Sequence, residues 1–246
     1  MFEDVVVPKK LENSPIVLSV FEIRFDSDLE KNEFYSCMHS LLRKKLNTAG
    51  VELPFNKIPD FIKDGDIYMK YQPCYKFQDK NFVVQFGPHV IIFSCIAPYT
   101  SWTDWSSKIS SVLKSQESEA FASHLFVERI GLRYIDVIEG SVEDNCNVSY
   151  LLGEKKYEFA NKKTRFRVEL PVGDSIAIIK IENAQKQDSS FNSSIDIDFI
   201  QKYSRLKFET YMANEFAKLV DIHETSKKFF FGILNESCVN KLGAQY

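Results

Sequence analysis

Residues 16–25, IVLSVFEIRF, put Ser19, Phe21, Ile23 and Phe25 on one side and Val20, Glu22 and Arg24 on the other. A period of two marks a strand with one buried face. Asp26-Ser27-Asp28 then offers side-chain oxygens to the free amides of a helix start. The predicted helix runs to about residue 48, with Leu29, Phe34, Met38, Leu41, Leu42 and Leu46 on one stripe and Ser36, His39, Arg43 and Lys44 on the wet side. In the following VELPFNKIPDFIKDGD, Pro54 and Pro59 bar regular structure. DIYMKY, CYKFQ, NFVVQF and VIIFSCI come next as strand candidates, punctuated by Pro73, Asp79 and Gly87-Pro88. Gaps this short allow only antiparallel hairpins. A helix starts at Ser101, where S-W-T-D resembles a capping box, and Trp102, Trp105, Ile109, Val112 and Leu113 form its apolar face.

The order of elements then recurs. In FVERIGLRYIDVI (126–138), Ile130, Leu132, Arg133 and Tyr134 match Phe21, Ile23, Arg24 and Phe25 at a constant offset of 109 residues. The next helix slot, about 139–151, is degenerate and reads as a single turn. KYEFA, TRFRVEL, SIAIIKIE and SIDIDFI are further strand candidates, with AQKQDSSFNS (184–193) as a hairpin loop. A long helix over about 204–234 carries Phe208, Met212, Phe216, Leu219, His223 and Phe230 near one stripe. The expected fold is α+β: two β-α-β4-α-like repeats, residues 1–120 and 121–246, with no flexible linker. Antiparallel curved sheet or sheets would carry the long helices on one face, in a helix-grip or TATA-binding-protein-like arrangement.

Composition narrows the function classes. A net charge of −3 excludes a globally basic nucleic-acid binder but leaves room for a local patch. Nine glycines are few for a glycine-rich phosphate cradle, and neither G-x-x-x-x-G-K nor G-x-G-x-x-G occurs. The cysteines (37, 74, 95, 146, 238) are odd in number and never form C-x-x-C, which points to reduced thiols and a cytoplasmic location. MFEDVVVPKK does not read as a signal peptide, and no apolar stretch approaches the roughly 18 residues of a membrane span.

Candidate chemistry is sparse. Arg129 and Arg133 share one side of their strand; Lys163, Arg165 and Arg167 share one side of theirs. If the two strands are neighbours, the cations gather into a surface suited to phosphate or carboxylate. The competing reading is an ordinary charged outer face, neutralised across strands by Glu22, Glu128, Glu158 and Glu169. Asp196 and Asp198 share a strand face and are weak candidates for a metal or an acid/base pair. The four histidines (39, 89, 124, 223) stand alone, so zinc is not expected. No nucleophile motif occurs, and FEIRF has one Glu where a tunnel-type triphosphatase needs E-x-E-x-K. No catalytic set and no cofactor are expected. Phe229, Phe230, Phe231, Ile233 and Leu234 point several ways round the last helix, more than one core face absorbs. Of these, Phe229, Phe230, Phe231 and Leu234 are candidates for a partner surface or dimer seam.

Pro15-Ile16 with Glu22-Ile23-Arg24-Phe25, the segment Glu128 to Tyr134, and His223 followed by Phe229 or Phe230 together form a pattern. It resembles that of a sporadically distributed bacterial family of proteins of about this length, to which no activity is assigned. The resemblance spans the whole chain and implies fold. The family's patchy occurrence implies an accessory role in defence or mobile elements. The leading expectation is a non-enzymatic binding protein that engages a macromolecular partner: another protein, a second copy or, through the basic face, nucleic acid, with no membrane. The alternative is a phosphate-directed enzyme or a nucleotide-binding protein that uses the basic strand face.

Overall fold

The computed structural model describes all residues except 1, 3, 64, 159–164 and 186–190. After β1 (Lys10–Leu11), β2 (Ile16–Ser27) buries Ser19, Phe21, Ile23 and Phe25, the face set by its alternation. α1 (Lys31–Leu46) buries Phe34, Met38, Leu41 and Leu42 and ends on Asn47 in the left-handed conformation. β3 (Val51–Glu52), a 3₁₀ turn and α2 (Asp60–Lys63) fill the proline-containing stretch.

DIYMKY is not a strand. The Asp66 carboxylate accepts the Tyr68 amide at 2.7 Å and starts a helical turn, α3 (Ile67–Lys70). A local side-chain cap decides against the extended form there. β4 (Tyr75–Asp79), β5 (Phe82–Gly87) and β6 (Val90–Ile96) follow as a meander. α4 (Trp102–Leu113) is capped by Ser101, whose hydroxyl accepts the Asp104 amide at 3.0 Å. The short α5 (Glu119–Ala122) leads into β7 (Leu125–Glu139).

The degenerate slot holds a single turn, α6 (Val142–Asn145), closed by a Ser141/Asp144 capping box. A separate hairpin, β8 (Ser149–Leu152) with β9 (Lys155–Glu158), precedes β10 (Arg165–Val172), β11 (Ser175–Gln185) and β12 (Phe191–Lys207). β12 outruns SIDIDFI, so the last helix starts at 208 rather than 204. It is not continuous: α7 (Phe208–Thr210), a π turn and a 3₁₀ turn come before α8 (Leu219–Ile233). α9 (Glu236–Lys241), capped by Asn235, and β13 (Ala244–Gln245) complete the elements.

The fold is α+β. Nine strands form one curved antiparallel sheet that does not close into a barrel, in the order β10-β11-β12-β7-β2-β6-β5-β4-β3. Compactness divides the chain into two interleaved units. One comprises 1–18, 133–199 and 220–246; the other comprises 19–132 and 200–219. The first has its core between strand residues such as Ile179, Ile197 and Phe199 and the buried side of α8. The second is centred on Phe34, whose ring meets Phe25, Phe121 and Phe86 at 5.3, 5.6 and 6.2 Å. No helix among the described residues is long and apolar enough to cross a membrane.

Candidate functional site

In the first unit, the strand residues that face away from the core carry the charges. β11 and β12 stand between β10 and β7, so the two arginine rows are not adjacent. Arg165 Nε donates to Glu182 Oε2 at 2.9 Å across the β10–β11 ladder, where the two residues are direct partners. Arg167 pairs with Glu169 along its own strand. Arg133 donates Nε and Nη2 to the two oxygens of Asp196, each at 2.7 Å, and Lys180 Nζ reaches Oδ2 at 3.0 Å. Burial alone would raise the Asp196 carboxyl. The hydrogen bonds and charges of Arg133 and Lys180 outweigh it and hold the group below the usual carboxylate range. Lys163 lies outside the described residues. Asp198 is on the same strand as Asp196, but no group of three His, Cys, Asp or Glu gathers to hold a metal among the described residues.

In the second unit, Arg129 approaches Glu22 at 3.7 Å, and Glu22 also accepts from Arg24 Nε at 2.7 Å. The Arg24 guanidinium lies 4.6 Å over the Tyr71 ring, and the Tyr71 hydroxyl donates to Glu128 at 2.8 Å. Burial and the Glu128 carboxylate raise the Tyr71 phenol above its ordinary value. Arg129 thus sits in a network of opposite charges that the turn α3 helps to close.

The tail packs back on its own unit. Phe229, Phe230 and Leu234 are buried, with the Phe229 ring 5.4 Å from Phe199 and 5.0 Å from Phe2; Phe231 is half-buried against Phe230. The apolar excess expected of this segment is therefore taken up by the core of the unit itself.

Two buried ionisable groups also lie in the first unit. Tyr134 Oη and His223 Nδ1 are 2.9 Å apart and share a hydrogen bond. Burial is the main influence on His223 and lowers it to about 4, with Glu224 pulling upward and Lys227 downward. The folded chain therefore refuses a proton that the unfolded chain takes near the ordinary value of 6.5. This histidine withdraws stability as the pH falls through that window. Asp136 is 3% exposed, and no hydrogen bond reaches its carboxyl among the described residues. Burial, and secondarily the charge of Asp196, push it up to about 8, so at neutral pH it is held mostly as the acid.

The second unit also holds an open cleft. Beside the last turn of α1, this cleft of about 670 Å³ is lined by His39, Ser40, Arg43, Lys44, Gly50 and Phe77, among others, and no carboxylate is among its described lining residues. Three rings fix the imidazole of His39: Tyr75 at 4.4 Å, and Phe77 and Phe86 at 5.4 Å each. Burial lowers its pKa, so the ring is neutral near pH 7. Gly50 lets the loop after α1 close over this floor, since a Cβ there would stand 2.5 Å from the Phe77 ring. Arg43 and Lys44 favour the helix C-terminus through its dipole, which accounts for basic residues there. It does not account for their position at the rim of a cleft.

Comparison with known proteins brings no match, either to a family model or to a curated sequence.

Sequence reasoning missed three groups. Lys180 was hidden as the lone cation in the otherwise apolar run of SIAIIKIE. Asp136 was legible as an acid at a core position of its strand. The cleft brings together a wet helix face and a distant strand residue, Phe77, and no local pattern carries that.

Proposed function

We propose that this is a binding protein that holds a phosphate-bearing ligand of nucleotide size in the cleft beside α1. The observation that carries the reading is the lining: two cations, a hydroxyl and a neutral imidazole over an aromatic floor. Arginine and lysine with a hydroxyl donor suit phosphate oxygens. The volume falls within the roughly 300–1,000 Å³ of small-molecule sites. The runner-up, phosphate chemistry on the sheet face, has less support. Both Asp196 oxygens are already engaged, and Arg165 and Arg167 each have a carboxylate partner.

The test is titration calorimetry with AMP and with inorganic phosphate. Wild type binds AMP saturably, and affinity falls as salt screens the cations. The double variant Arg43→Ala/Lys44→Ala loses about tenfold or more, the equivalent of one to two charge-assisted contacts. Absence of saturable binding to either ligand, or a double variant that binds as wild type does, would sink the reading.

A further inference from the structure

β10 is the last strand of the nine-stranded sheet, and no described strand pairs with its outer edge. It is eight residues long, and its two faces differ sharply. Arg165, Arg167, Glu169 and Pro171 are exposed on one; Phe166, Val168, Leu170 and Val172 form a half-buried apolar row on the other.

The turn to β11 fixes which backbone groups face outward. Val172 pairs with Ser175 across the two-residue loop Gly173-Asp174, with Gly173 at φ +57°. In such a hairpin the closing pair is hydrogen-bonded, and the bonded positions alternate from there. The N–H and C=O groups of Phe166, Val168, Leu170 and Val172 therefore turn to β11. Those of Arg165, Arg167 and Glu169, with the C=O of Pro171, turn outward. Pro171, which has no N–H to offer, stands in the outward set, where an edge strand tolerates proline.

We propose that this edge is the seam of a homodimer, in which β10 of a second copy pairs antiparallel to it about Val168. In that register Val168 faces its own copy across the two-fold axis, and Phe166 faces Leu170. Arg167 faces Glu169 in both halves. The outward groups of Arg167 and Glu169 are then in register to exchange both ladder bonds. The Arg165 amide meets the Pro171 carbonyl, the one group a proline can still contribute. The apolar row continues across the seam, and the charged face pairs plus with minus. An edge kept apart by repulsion would set like charges opposite each other; this one is complementary to itself. The seam lies in a different unit from the cleft and stands independently of the proposed ligand.

Sedimentation equilibrium of the full chain tests it. Wild type is a concentration-dependent dimer. Arg167→Glu and Glu169→Arg each set two like-charge pairs across the axis and raise the dissociation constant about tenfold or more. The double swap Arg167→Glu/Glu169→Arg restores complementarity and regains the dimer. Circular dichroism melts of each variant separate lost association from lost folding. In wild type, amide exchange at Arg167 and Glu169 slows as concentration passes through the dissociation constant. A wild type that is monomeric throughout overturns the seam, as does a dimer untouched by the single variants or not recovered by the swap.

Discussion

Asp136→Asn raises the stability of the protein by about 3 kcal/mol at pH 7, and the gain disappears near pH 4. The wild-type carboxyl titrates near 3.8 in the unfolded chain and at about 8 when folded. A raised carboxyl pKa means that the folded state holds a proton the unfolded state has released. Stability therefore declines as the pH climbs from about 4 to about 8, by about 1.4 kcal/mol per unit. At pH 7 the accumulated penalty is about 4 kcal/mol, from which a buried amide, also poorly hydrogen-bonded, takes back about 1. His223 works in the opposite sense, losing stability as the pH drops from 6.5 to about 4. In wild type the contributions of Asp136 and His223 oppose each other over that interval, while His39 and His89, also lowered by burial, add to the histidine side. In the Asn variant the histidine is unmasked, and stability falls by about 3 kcal/mol between pH 6.5 and 4. Urea unfolding of both proteins from pH 4 to 8 checks this. A variant that is less stable at pH 8, or a difference that does not change with pH, would show that the carboxyl is not kept as the acid.

Phe34→Ala removes about 4 kcal/mol and lowers the melting temperature by about 10 °C. The ring is 1% exposed and lies within 6.5 Å of four others, those of Phe25, Phe121, Phe86 and Tyr35. It sits on α1 and meets strand residues on one side and the α5 segment on the other. Its loss leaves a cavity bounded by rigid aromatics, which collapse poorly around missing volume. Phe34→Leu, which keeps part of the volume, loses about half as much. Thermal melts and urea midpoints read both, and a loss below about 1 kcal/mol for Ala would mean that the aromatic cluster rearranges around the gap.

Most strands and α4 were legible because the period was clear and, for α4, the cap agreed; α1 followed its period but starts at Lys31 without a side-chain cap, not from Asp26-Ser27-Asp28. The alternation in IVLSVFEIRF gave the buried face of β2, and Ser101 with Asp104 gave the start of α4. DIYMKY misled because its alternation is equally compatible with one helical turn, and Asp66 tipped the balance. The run after Ser204 misled because hydrophobic spacing near 3.6 continued back into residues that pair as strand. What the arginines do was not legible at all. Arg165 and Arg133 read as members of one basic face, but their partners Glu182 and Asp196 lie on strands whose position between them only the sheet order reveals. Charge complementarity across strands depends on register, and register is not written in either strand alone.

The interleaving of the two units bears on how the chain is made. Most of the second unit, 19–132, leaves the ribosome early, yet its last piece is 200–219. The first unit begins with 1–18 and waits for 133–199 and then 220–246. The second unit cannot finish until residues 200–219 are made, and β2 waits for β7 (Leu125–Glu139), its neighbour in the sheet, for about a hundred residues after its own synthesis. Contacts of such long sequence separation form slowly, and unpaired strand edges in the interval invite chaperones and mispairing. Expression yield should therefore respond more to translation speed and chaperone supply than to the stability of the finished fold.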